Sequence, residues 1–140
     1  MLLSIDEIHP LFVHFPIALY ASAWLFDFLG FIKKKDEFLI SGWWNFFLAQ
    51  ISAIATVITG FFTDSLVGHM EKPFPLYSTH GSMQILAIVL LSGIFIIRWK
   101  KLKTYRYPRS IIFGYLVFFG ISVLVLYYGS HLGAKLANRI

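Results

Sequence analysis

Four long apolar runs, separated by short polar stretches, make up most of the chain. They cover residues 11–32, 40–63, 79–99 and 110–128. Each is long enough for about 20 residues of helix to cross a hydrocarbon core of roughly 30 Å. None alternates with period two along its whole length, as a membrane-barrel strand requires. The predicted fold class is all-α: a transmembrane antiparallel four-helix bundle, with residues 1–140 as one domain. Short links join the first run to the second and the third to the fourth. Those pairs become neighbours, and the first and third runs stand diagonally, as do the second and fourth.

Composition agrees with this pattern. Apolar residues make up 58% of the 140 residues and aromatics 19%, and the mean hydropathy is +0.72. A soluble domain is about 45–50% apolar, so too little polar surface remains to coat a water-facing globule. The partner expected first is the lipid bilayer. The first run does not read as a signal peptide: Asp6 and Glu7 precede it, no Lys or Arg does, and Lys33-Lys34-Lys35 follows as a basic flank. The chain has no cysteine, which excludes disulfides, thiolate metal ligands, iron–sulfur ligation and covalent c-type haem attachment.

The net charge of +5 would suit nucleic acid, but its placement argues for topology. Lys33, Lys34 and Lys35 fall between the first two runs. Arg98, Lys100, Lys101, Lys103, Arg106 and Arg109 fall between the last two, and only Lys72, Lys135 and Arg139 lie on the opposite side. The positive-inside rule places the two basic loops in the cytoplasm, and both termini and the loop from Asp64 to Ser78 outside. The basic clusters are then topology signals and anionic-lipid contacts, and no nucleic-acid partner is expected.

On that topology all five histidines, His9, His14, His69, His80 and His131, lie toward one side. His14 sits several residues inside the first run, and an ionisable group within a span is a functional-site hypothesis by default. His80 opens the third run after Ser78 and Thr79, either of which suits a helix N-cap. His131 is expected just past the end of the fourth run. Taken singly, His9, His69 and His131 read as interfacial residues, whereas His14 and His80 begin diagonal helices at similar depth. His9 and His14 are about 140° and roughly 7.5 Å apart on a straight helix, so they do not share one ion. Pro10 is expected in the first helical turn and Pro16 at a bend.

Supporting residues are legible too. Gln84 lies one turn beyond His80, where it suits a hydrogen bond to the imidazole or its ligand. Ser52, Thr56, Gly60 and Asp64 form a small-residue stripe on the second run, which admits a neighbouring backbone or a flat cofactor. Asp64 ends that stripe at histidine level, where it would orient an imidazole.

Imidazoles on diagonal helices hold haem iron from both faces within an apolar bundle. With both axial positions filled, the role is electron transfer. Three imidazoles with Asp64 would equally serve zinc or copper. Nucleophile motifs and phosphate-binding glycine loops are absent.

Three motifs carry a resemblance. His-Pro-Leu-Phe-Val-His-Phe-Pro-Ile-Ala-Leu at 9–19, Thr79-His80-Gly81, and Gly129-Ser130-His131-Leu132-Gly133-Ala134-Lys135-Leu136 resemble the signatures of a bacterial membrane family known as domain of unknown function 2231. Ala134 stands where that family usually has a second glycine. The resemblance implies a bacterial protein, and with the charge bias the expectation is a multi-pass protein of the bacterial inner membrane with both termini periplasmic. It also implies a redox setting with a Rieske or cytochrome c type partner subunit. The resulting expectation is a small b-type cytochrome-like electron-transfer subunit without enzymatic activity of its own. Haem b is held near the outer face by His14 and His80, with His131 and His9 as alternates and Asp64, Gln84 and Gly60 in support. The alternatives are a non-catalytic anchor or assembly subunit of a larger complex, and an outer-face zinc or copper protein.

Overall fold

A computed structural model describes residues 5–67, 75–100 and 108–136, and side chains for 12–62, 75, 77–100 and 108–135. It contains four long helices: α1 (Ile5–Lys33), α2 (Asp36–Val67), α3 (His80–Lys100) and α4 (Arg109–Leu136). A 3-10 turn, Leu76–Ser78, leads into α3. All four helices are long and apolar enough to cross a membrane.

Helix ends follow local chemistry. Lys34 closes α1 with φ 55°, and its N–H donates to the Gly30 carbonyl at 2.8 Å. This left-handed cap satisfies one of the terminal carbonyls and turns the chain within two residues. Thr79 stands at the N-cap of α3, its carbonyl accepting from the Met83 N–H at 3.1 Å.

Each helix buries a stripe that advances in three- and four-residue steps. On α1 it comprises Pro16, Tyr20, Ala23, Asp27 and Gly30, and on α2 Gly42, Phe46, Ala49 and Ala53. On α3 it is Met83, Ala87, Leu91, Ile94 and Arg98, and on α4 Ile112, Leu116, Phe119, Val123 and Leu126. This spacing is that of left-handed bundle packing. Small residues dominate the α2 stripe and include Ala23 and Gly30 of α1, so those backbones approach closely.

At mid-bundle a ring from each of the other three helices meets Phe46 of α2. Phe46 stacks on Phe119 with centroids 4.5 Å apart, and takes Tyr20 and Phe95 edge-on at 5.7 and 5.2 Å. The outer surface is as apolar as the core: Ile40, Trp44, Leu48, Ile51 and Ile58 are all exposed along α2. In lipid such exposure costs nothing, and association rests on packing and internal hydrogen bonds.

Contacts along α1 and α2 run in opposite chain directions, with Thr56 bonded to the Phe12 carbonyl and Gly42 against Asp27. One end of the bundle therefore carries the start of α3 at His80, and the other carries Lys33 and Lys100. These are called the histidine end and the lysine end below. α1 packs most extensively on α2, and α3 on α4. α4 bridges to α1, while α2 and α3 meet over a thin seam.

Three expectations change. α4 continues to Leu136, so His131 lies within the helix rather than past its end. The apolar run stops near Tyr128, but Gly129 and Gly133 pack instead of breaking the helix. Pro10 is not in the first turn, because α1 begins at Ile5. Arg98 is not a loop residue marking a side: it lies within α3, only 3% exposed.

Candidate functional site

Two polar constellations occupy the bundle interior. The first, toward the lysine end, was not anticipated. Asp27 and Arg98 are 2% and 3% exposed and form an ion pair, with Arg98 Nη2 donating to Asp27 Oδ1 at 2.6 Å. The Tyr115 hydroxyl donates to Asp27 Oδ2 at 2.6 Å, and Arg98 Nη2 also donates to the Leu39 carbonyl at 3.0 Å. The guanidinium lies 5.6 Å from the centroid of the Trp43 ring, a cation–π distance. The absent side chain of Gly42 makes the room, because a Cβ there would collide with Asp27 Oδ1. All four helices thus contribute. A carboxylate and a guanidinium inside a span are tolerated only when paired and hydrogen-bonded. The signal for this network was available: Asp27 lies seven residues after Tyr20 on the buried stripe, and Arg98 seven after Leu91.

The second constellation is a cleft of about 80 Å³ toward the histidine end. By the measure on which one water needs roughly 10–15 Å³, it has room for a ring or a branched chain. Val13, Pro16, Ile17 and Tyr20 of α1 line one wall, Thr56, Val57 and Gly60 of α2 another, and His80, Gln84 and Ile88 of α3 a third. Phe61 and Ile85, also in its lining, are exposed, which puts its mouth at the thin seam between α2 and α3.

His80 is held firmly there. Its Nδ1 lies 2.6 Å from the Gly129 carbonyl. A carbonyl only accepts, so Nδ1 carries a proton and donates it. The ring rests on Gly133, where a Cβ would stand 2.6 Å from His80 Cε1. Gln84, expected to serve His80, instead donates to Ser130 Oγ at 2.9 Å.

The other candidates are placed differently. His14 is exposed and does not line the cleft, although Val13, Pro16 and Ile17 do. The cleft-facing positions 13, 16, 17 and 20 follow a helical face, and position 14 falls about 100° from Val13. His131 is exposed on α4. Gly60 lines the cleft as its stripe predicted. His9 and Asp64 belong to α1 and α2, but their side chains lie outside the described residues, as does His69 altogether. Among the described residues, no three metal-ligating side chains cluster.

Hydrogen bonding divides the two ends. Among the described bonds, those joining the α1–α2 hairpin to the α3–α4 hairpin lie from mid-bundle to the lysine end. They comprise the Asp27–Arg98–Tyr115 set, Trp24 Nε1 to the Leu116 carbonyl at 2.9 Å, and Ser92 Oγ to Gln50 Oε1 at 3.1 Å. Toward the histidine end, Thr56–Phe12, His80–Gly129 and Gln84–Ser130 each stay within one hairpin.

No curated protein and no solved structure matches the chain. A family model described as Predicted membrane protein (DUF2231) matches residues 6–140. The four apolar helices, the seated His80 and the cleft beside it are therefore features of a chain that belongs to this family of predicted membrane proteins.

Proposed function

We propose that this protein is a membrane-embedded electron-transfer subunit that binds an apolar, ring-bearing redox cofactor in the cleft at its histidine end, gripped by His80. The observation that carries this reading is the seat of His80. Its Nδ1–H is committed to the Gly129 carbonyl, leaving the tautomer a metal-ligating or hydrogen-bonding imidazole uses. By the distribution of lysine and arginine in the loops, the histidine end faces outward.

Haem b is the first cofactor to test. Bound, it would supply one-electron chemistry, and the donor set fits in part. His80 has the tautomer and rigid seat of an axial ligand. His14, the expected second ligand, is exposed and outside the cleft, and the cleft is small for a porphyrin.

A reduced-minus-oxidised spectrum of protein purified in mild detergent from haem-replete cells tests this. Soret and α bands lost in both His80→Ala and His14→Ala support a bis-histidine haem. Their absence from the unmodified protein removes haem from consideration. Elemental analysis of the same preparation decides the zinc or copper alternative. Purification in a stable complex, with no cofactor of any kind, would favour an anchor or assembly subunit and overturn the cofactor reading.

A further inference from the structure

The lysine end presents a positive surface above an apolar groove. Among the described residues its exposed cations are Lys33, Lys34, Lys35, Lys100 and Arg109, against the exposed carboxylates Asp36 and Glu37. Those two carboxylates sit in the first turn of α2, where the helix dipole favours them. None of these cations forms an ion pair among the described residues. Trp99, exposed beside Lys100, marks the depth of a membrane–water interface.

Arg109 stands where α4 meets α1. Its guanidinium lies 4.9 Å from the centroid of the Phe31 ring, a cation–π contact. Two turns deeper, Trp24 Nε1 donates to the Leu116 carbonyl at 2.9 Å, and Gly120 leaves room for the Trp24 indole. The two helices run antiparallel between these contacts, so Phe28 and Phe113 fall at one depth between them. Phe113 is one turn from Arg109. Phe28 is one turn from Trp24, with their rings stacked 5.4 Å apart. Yet Phe28 and Phe113 remain 37% and 58% exposed. The α1–α4 junction therefore leaves an aromatic groove open to lipid, about 6 Å below Arg109 by helical rise.

An occupant needs an apolar part at the level of Phe28 and Phe113 and a negative charge at the level of Arg109. A guanidinium without a carboxylate, at the edge of a hydrocarbon layer, suits a phosphate, which it binds through two parallel N–H bonds. The lysines at 33–35 raise the local potential and favour a lipid of net negative charge over a zwitterionic one.

We propose that the α1–α4 groove at the lysine end binds an anionic phospholipid, with Arg109 donating to its phosphate and Phe28 and Phe113 bedding an acyl chain. The groove lies at the opposite end of the bundle from the cleft, so this proposal stands apart from the cofactor reading.

The test is native mass spectrometry of the full-length protein, released from detergent with phosphatidylglycerol or phosphatidylcholine of matched chains. Phosphatidylglycerol is expected to bind roughly fivefold more tightly or better. Arg109→Gln should weaken it about fivefold, the worth of one basic residue at an anionic surface. Lys100→Gln removes the same charge from α3, outside the groove, and should change binding by less than about twofold. Raising the ionic strength to about 1 M, where screening acts within about 3 Å, should remove most of the preference in the unmodified protein, a readout that needs no variant to fold. Equal binding of the two lipids, a preference untouched by salt, or equal losses in Arg109→Gln and Lys100→Gln overturn the proposal. So do displacement of the lipid by polyglutamate, which assigns the face to an acidic protein, and a lipid-free dimer, which assigns it to a second copy of this chain.

Discussion

At the scale of single residues, glycines and one lysine decide how polar groups are seated. Gly133 leaves the groove of α4 in which the His80 ring lies, and the Gly129 carbonyl accepts from that ring. Gly133→Ala puts a methyl against that ring, and overpacking of this kind costs about 1–3 kcal/mol. We expect a lower melting temperature in detergent and weaker cofactor retention, whereas Gly93→Ala, at a position with nothing nearby, leaves both unchanged. Lys34 shows the opposite case. It holds φ 55°, where a side chain is strained and glycine is not. Lys34→Gly should raise thermal stability slightly, as chemical or thermal unfolding would record. The motif Gly-Ser-His-Leu-Gly at 129–133 was visible in the sequence, but its two glycines, four apart, make only a weak motif there, because glycine is common in membrane helices. The glycines of α4 hold His80, and His131 is exposed.

At the scale of elements, two hairpins are joined by one buried charge network. Removing one partner of a buried ion pair strands the other, at about 3–5 kcal/mol. Asp27→Ala should therefore destabilise the protein severely in a detergent melt. The double substitution Asp27→Leu with Arg98→Met should recover much of that loss, because apolar replacement of both partners avoids any stranded charge. Additive losses in this double-mutant cycle would show that the two residues do not act as a pair. Gly42→Ala belongs to the same network and should behave like a mild Asp27 substitution, since its Cβ meets the carboxylate. Helix existence and approximate bounds were legible because long apolar runs leave helix as the only backbone-satisfying choice. The pairing of Asp27 with Arg98 was not, because it joins residues 71 positions apart and depends on rotational settings that hydropathy does not contain.

At the scale of the whole molecule, polarity is distributed asymmetrically along the bundle. Cross-hairpin hydrogen bonds tie the lysine end, while a cleft separates the hairpins toward the histidine end. The basic loops predict the direction of this asymmetry across the bilayer. The chain has no cysteine, so single introduced cysteines report sidedness without background. Cysteines placed at Pro75 and at Lys135 should react with an impermeant maleimide applied outside intact cells, and one placed at Lys34 should react only after permeabilisation. The reverse pattern would invert the topology and put the cleft toward the cytoplasm. Arg98 no longer counts in the charge bias, being paired within α3, but Lys33, Lys34, Lys35 and Arg109 still flank the lysine end.

By itself the sequence determined the membrane class, the four helices and their neighbour order. These follow from local composition and from the requirement that every backbone polar group in lipid be satisfied within the chain. Only the tertiary structure decided which ionisable groups face inward. A helix turns by about 100° per residue, so one position separates His14, exposed, from the cleft-lining Val13. The same rotation buries Asp27 against Arg98 and leaves the Tyr20 hydroxyl without a partner inside the bundle. Depth in the bilayer can be read along the chain, but rotation about each helix axis is settled by packing against the other three helices.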